Sequence, residues 1–208
     1  MNTSKKTTFK GSSILAPVPA VVVTCGTVDK PNALTIAWTG TINSIPPKTY
    51  ISVRPERYSY DLIKESGEFV INLTTRELTR ATDYLGVRSG KNEDKLKNLG
   101  LSVSPATQVS APILDASPVS IECRVCDIIS LGSHDMFVAD VLAINVADEL
   151  IDKNGKICLD KADLIAYSHG EYFAIGEKLG SFGYSVKKPT KKAGKSERYY
   201  RQACKRHR

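Results

Sequence analysis

The stretch NALTIAWTGTINSIPP, residues 32–47, decides how this chain is read. Leu34, Ile36, Trp38 and Ile42 alternate in it with Ala33, Thr35, Ala37, Thr39, Thr41 and Asn43. Side chains of a strand point to opposite faces with period two, so the run predicts one strand with a bulky face and a small, hydroxyl-bearing face. Threonines lining the solvent side of a half-buried strand explain the pattern, because Thr is a good strand former. A face so flat also suits something broad lying against it. Pro46 and Pro47 stop the strand, since neither can donate to a ladder.

Working outward, ILAPVPAVVVTC (14–25) reads as an extended lead-in and a buried first strand, and GTVDKPNA (26–33) as a turn. TYISVR (49–54) is a third strand, broken by Pro55. Ser59 then reads as the N-cap of a helix YDLIKES with Asp61 in its first turn, ended by Gly67. EFVINL (68–73) is a compact buried strand, and residues 75–85 predict a second helix closed by Gly86. A polar loop, VRSGKNED, leads to a short helix DKLKNLG. VSIECRVCDIIS (119–130) and MFVADVLAINV (136–146) form a hairpin through LGSHD. Many short strands with helices inserted irregularly predict a mainly β fold, an antiparallel barrel with helical excursions, over a parallel doubly wound sheet.

The 208 residues suffice for one domain with a sizeable core, and 41% hydrophobic with 25% charged residues is ordinary for a globular protein. No apolar run approaches a membrane span. Lys5, Lys6 and Lys10 before the apolar run superficially resemble a signal peptide, but Pro17, Pro19 and the strand-forming valines argue against one, and the chain reads as cytoplasmic. The five cysteines are too scattered for a disulfide framework. Cys123 and Cys126 form a C-x-x-C, yet a spacing of three on a strand sends them to opposite faces, away from a shared metal. The net charge of +7 is local: residues 187–208 hold ten Lys or Arg and one Glu, a net of +9, which leaves −2 for the rest. The domain reading is therefore a lead-in over 1–13, a folded domain over 14–187 and a basic tail over 188–208.

The motifs of several common enzymes are absent. No Walker or dinucleotide glycine pattern occurs, no G-x-S-x-G and no H-x-x-x-H pair. An enzyme of this composition needs a cofactor to bring the reactivity. One candidate seat for a phosphorylated cofactor is RPERYSYDLI (54–63), where Arg54 and Arg57 precede a helix start that favours an anion. An ordinary capped surface helix with solvated arginines fits the same residues.

The runs PNALTIAWTGTINSIPP and ISVRPERYSYDLIKESGEFVINL resemble the flavin reductase-like, FMN-binding split-barrel family, and SHDMFVADV (133–141) and HGEYFAIGEKLGSFG (169–183) place the likeness nearer its flavoredoxin branch. The resemblance covers about residues 14 to 187, in four separated blocks. It implies a six-stranded antiparallel Greek-key split barrel and a homodimer with one FMN per subunit. On the matching positions it places Asn32, Thr35, Ala37, Trp38 and Thr39 at the flavin, Arg57, Ser59 and Lys95 at its phosphate, and Asn72 close by. His134 takes the family's histidine position as a candidate catalytic residue, and Tyr167 an aromatic position beside the flavin. Many flavin reductases read Gly-Asp-His in the hairpin; this chain has Gly132-Ser133-His134, which removes a carboxylate that could orient the histidine.

Three functions stay open on the sequence. The first is an NAD(P)H-dependent flavin reductase passing electrons to a free flavin, a ferric chelate or a protein. The second is an electron-transfer flavoprotein reduced by a protein partner, toward which Ser133 leans. The third is a binding module in which the tail, with Tyr199 and Tyr200 available for stacking, takes nucleic acid or an acidic partner.

Overall fold

The computed structural model describes residues 5–187. A compact unit spans Ile14–Gly176. The basic tail over 188–208, with its expected contacts, lies outside the described residues. No helix among those described is long and apolar enough to cross a membrane.

The strands are β1 (Val18–Pro19), β2 (Val21–Gly26), β3 (Pro31–Ile36), β4 (Thr39–Ser44), β5 (Pro47–Val53), β6 (Glu68–Leu73), β7 (Val103–Ser104), β8 (Ile113–Leu114), β9 (Val119–Ser130), β10 (Asp135–Val146), β11 (Ile165–Ser168) and β12 (Glu171–Ala174). The helices are α1 (Tyr58–Ser66), α2 (Thr79–Val87) and the single turn α3 (Lys95–Asn98). Seven strands form one antiparallel sheet in the order β3-β2-β6-β9-β10-β5-β4, and β1-β11-β12 form a smaller sheet beside it.

The opening run is two strands, where the alternation predicted one. Its halves, β3 and β4, lie at opposite edges of the seven-stranded sheet. Only Ala37 and Trp38 join them, a span of at most about 10 Å, so the sheet curls until its edges approach without pairing. That is an open, split barrel, the mainly β architecture expected. Trp38 sits at the seam, where its carbonyl accepts from the Ser52 N–H at 2.9 Å. The single bulky face also divides: Leu34 and Ile36 enter the core, while Trp38 and Ile42 are 44% and 49% exposed. β4 lies at the sheet edge, and its residues from Thr41 to Ser44 are all exposed.

The barrel interior is filled by Val21, Val23, Leu34, Ile36, Ile51, Ile63, Phe69, Ile71 and Phe137. β2 reads as an unbroken apolar run because both its faces are covered. Val22, on the outer face, packs with Ala33, Leu85, Leu96 and Leu114 beneath α2 and α3. The same helix covers the small face of β3. The Thr35 hydroxyl donates to the Thr82 carbonyl, and a Cβ added at Gly86 would sit 3.2 Å from Thr35 Cβ. Gly86 therefore lies inside α2 and permits this close approach, where the sequence suggested a helix stop. The flatness at Ala33 and Thr35 is thus explained by a packed helix, and open surface begins only at Ala37.

Other expectations hold closely. β6 and β9 have the predicted limits, and Gly67 caps α1 in the left-handed conformation at φ 67°. Cys123 is buried and Cys126 exposed, on opposite faces of β9. The N-cap of α1 is Arg57, with no side-chain capping bond; Ser59 lies inside the first turn, which corrects the capping assignment.

Candidate functional site

A cleft of about 460 Å³ opens where the start of α1 meets the loop after α2, within the usual size range of ligand sites. β5 delivers Arg54, the start of α1 delivers Arg57, Tyr58 and Ser59, and the following loop delivers Arg88, Ser89 and Gly90. Lys95, the first residue of α3, closes the floor together with Leu34 and Leu85.

Lys95 is 4% exposed. Its Nζ donates to the carbonyls of Leu85 at 3.0 Å and Arg88 at 3.1 Å. Burial lowers its pKa from 10.5 to about 8, reinforced by the nearby Arg57 and opposed by Glu93. Arg57 Nη1 donates to the Gly86 carbonyl at 3.0 Å. Among the described residues neither cation forms an ion pair with a carboxylate, and Glu93 acts on Lys95 only at longer range. The other two cations are paired: Arg54 with Glu56 at 3.3 Å and Arg88 with Glu93 at 2.8 Å. The first-turn N–H groups of α1 receive no side-chain acceptor, so helix dipole, free donors and two uncompensated cations converge. These residues fit a phosphate monoester, whose charge at neutral pH is about −1.5 to −2.

Asn32 braces the cleft from behind. Its Nδ2 donates to Ser59 Oγ at 2.6 Å and lies 3.8 Å from Cys25 Sγ. Gly90 is required there, because a Cβ would fall 2.1 Å from Asn32 Oδ1. Cys25, whose role the sequence left open, is a buried thiol pushed up to about 11 by desolvation; it packs under the cleft as an unreactive group.

A second feature lies toward the seam. The rings of Trp38 and His134 are 4.4 Å apart at an interplanar angle of 42°. Partial burial lowers the His134 pKa from 6.5, with Arg54 and Arg57 adding to the effect, so the pair lies within the field of the cleft's arginines. Ser133 Oγ is 3.0 Å from His134 Nδ1. The nearest carboxylate in sequence, Asp135, is committed elsewhere: it accepts from Tyr60 Oη at 2.6 Å and from Ser130 Oγ at 3.0 Å.

Of the residues singled out from the sequence, the fold brings Asn32, Arg57, Ser59 and Lys95 together at the cleft, and Trp38 and His134 together beside the seam. Ala37 and Thr39 flank Trp38 there, and Thr39 Oγ1 donates to the Tyr50 carbonyl at 2.6 Å. Thr35 has its hydroxyl taken by α2, although β3 is an edge strand whose outer backbone groups have no ladder partner. Asn72 is fully buried and does not line the cleft. It donates to the Val22 carbonyl and accepts from the Leu114 N–H and Ser120 hydroxyl, a set that ties β2, β6 and β9. Tyr167 lies in the small sheet, edge-on to Tyr172 at 5.2 Å, and is likewise not a cleft residue. Arg88, Ser89 and Gly90, which read as a polar loop in the sequence, line the cleft. The available signal was a basic residue beside a Ser-Gly pair, a few residues ahead of Lys95.

A family model described as the flavin reductase like domain matches residues 14–176. The chain belongs to the flavin reductase-like, split-barrel family, on its flavoredoxin branch. Within that branch it is similar to the flavoredoxin of Desulfovibrio vulgaris (Miyazaki F), at 31% identity and a TM-score of 0.82 over 88% of this chain and 100% of that one. The flavoredoxin from Methanosarcina acetivorans shares the fold, with a TM-score of 0.79 at 23% identity over 88% of this chain and 100% of its own. An uncharacterised protein of Archaeoglobus fulgidus is 30% identical over 159 residues, 76% of this chain and 88% of its own length.

Proposed function

We propose that the protein is an FMN-dependent oxidoreductase that holds the FMN phosphate in the cleft and passes electrons from NAD(P)H or a protein donor to a flavin, ferric or protein acceptor. The observation that carries this reading is the pair of uncompensated cations, Arg57 and Lys95, at the uncapped start of α1. Bound FMN supplies the hydride and electron chemistry itself.

The chain's own residues bind, orient and shield. Arg57 and Lys95 neutralise the phosphate, and the α1 amides donate to it. The unpaired outer edge of β3 and the backbone at Ala37–Thr39 offer donors and acceptors for a flat polar ring between cleft and seam. Trp38 and His134 border that space and limit what approaches it. Partial burial and the neighbouring arginines favour the neutral imidazole of His134, which can share a hydrogen bond without adding charge.

One observation favours a carrier of electrons over an enzyme that oxidises nicotinamide directly. Among the described residues the His134 ring has only the Ser133 hydroxyl as a hydrogen-bond partner, and Asp135 is turned to Tyr60 and Ser130, so no carboxylate holds the imidazole in one tautomer. A homodimer is part of this proposal, to be tested by light scattering.

The primary test is the absorbance spectrum of the purified protein after incubation with FMN and gel filtration. Retention of a flavin band near about 450 nm, the cofactor's own absorption, is expected, and a colourless protein overturns the assignment. Stopped-flow mixing with NADH or NADPH then separates the two variants. Bleaching within seconds identifies a reductase, and an unchanged band over minutes identifies a carrier.

A further inference from the structure

The cleft's cations are not equivalent. The Arg88 and Glu93 side chains are 58% and 18% exposed, respectively. Glu93 does more than pair with Arg88. Its carboxylate accepts from Tyr84 Oη at 2.6 Å and from Asn98 Nδ2 at 2.7 Å, so α2, α3 and the loop between them are anchored on one group. The other flank of the loop is held by Lys95 through the Arg88 carbonyl. Arg88 is therefore fixed at the wall of the cleft with its charge already cancelled. Glu56 does the same for Arg54 at the mouth, through a more exposed contact.

We infer that Glu93 is a specificity-determining residue that, by neutralising Arg88, leaves the cleft with a counter-charge suited to one phosphate monoester and so selects a flavin mononucleotide over a flavin dinucleotide. The inference rests on the flavin-phosphate reading and deepens it. Two free cations, Arg57 and Lys95, match a single dianionic phosphate. A flavin dinucleotide's diphosphate carries about the same total charge as the monoester but spreads it over two phosphorus centres, and a second phosphate reaching Arg88 would meet an arginine already paired with Glu93. Removing the Glu93 carboxylate returns a third cation to the site, and ligands with two phosphates gain more from it than ligands with one.

The test is the dissociation constants of FMN and FAD, measured by flavin fluorescence quenching at pH 7 for the wild type, Glu93→Gln, and the double variant Arg88→Gln/Glu93→Gln. Wild-type Lys95, with a pKa of about 8, is charged at this pH; both variants lose the support that Glu93 gives its ammonium, so the FAD-to-FMN ratio, in which a shared change at Lys95 cancels, is the quantity read. Glutamine retains a carbonyl acceptor for Tyr84 or Asn98, and thermal melts check that each variant folds. Glu93→Gln is expected to raise FAD affinity relative to FMN by about two- to fivefold, the range of one partly exposed charge interaction. The double variant, which loses both charges, is expected to return the ratio to the wild-type value. If Glu93 only ties the loop down, FMN and FAD weaken together, the ratio does not move, and the inference is wrong. An intact wild type that holds neither flavin overturns the flavin reading, and this inference with it.

Discussion

Replacing Lys95 by methionine tests the cleft most directly. The ammonium is buried against two carbonyls and has no carboxylate in contact. The difference between its ordinary 10.5 and about 8 in the fold corresponds to about 3 kcal/mol of unfavourable charging. A bound phosphate dianion offsets that cost, so charging of Lys95 and anion binding are linked. Below pH 8 the site is charged before the ligand arrives. Above it, binding must also take up a proton, and affinity falls by up to about tenfold per pH unit until the pKa of the complex is reached. Between pH 7 and 9 the wild type is expected to lose about tenfold in FMN affinity, while the ligand phosphate, with a pKa of about 6, stays dianionic. Lys95→Met is expected to bind FMN about 10- to 100-fold more weakly at pH 7, the scale of a charge-assisted hydrogen bond, with little dependence on pH. Fluorescence titration over pH 6.5–9.5 (roughly the range bracketing the shifted pKa) measures both. A variant that keeps wild-type affinity and the wild-type pH slope refutes the placement of the phosphate at Lys95.

Arg57→Ala removes the second free cation and is expected to weaken FMN by about 1.5–3 kcal/mol while leaving the melting temperature nearly unchanged, since Arg57 is exposed and, among the described residues, its side chain bonds only the Gly86 carbonyl. Glu122 is fully buried and accepts from Thr107, Gln108 and Asn145. Burial alone would raise its pKa, but those bonds hold it below 4.5, so its stabilisation is present above the unfolded value and is lost as pH falls through the folded one. Glu122→Gln is expected to cost about 1–3 kcal/mol in urea unfolding at pH 7, with the difference from wild type shrinking in acid. Thiol labelling of the native protein is expected to modify Cys126 and spare Cys25 and Cys123 until denaturant is added. Trp38 fluorescence, quenched by protonation of the adjoining His134, is expected to titrate with a midpoint below 6.5.

Much of this protein is written in local sequence. Period-two alternation in β9 and β10, the compact apolar run of β6 and the glycine after α1 are short-range signals, and each strand or cap formed where its own residues asked for it. The cysteines of β9 took opposite faces for the same reason. Arg57 and Ser59 stood out because a helix start and its charges lie within a few residues of each other. What required tertiary structure were the features set by partners far along the chain. Alternation through residues 32–47 could not reveal that Ala37 and Trp38 turn one strand into two, because the break is dictated by the opposite neighbours β2 and β5. The small residues Ala33 and Thr35 looked like a vacant surface until Gly86 brought α2 against them. Asn72, which the resemblance places close to the flavin, also ties strands inside the sheet, since a buried amide must satisfy its hydrogen bonds with whatever strands surround it. Arg88 and Glu93 looked like loop polarity, and only the folding of α2 against α3 turned them into a paired charge at the cleft wall. Periodicity and caps depend on chemistry between near neighbours; charge balance and the vacancy of a surface depend on what the fold brings across from elsewhere.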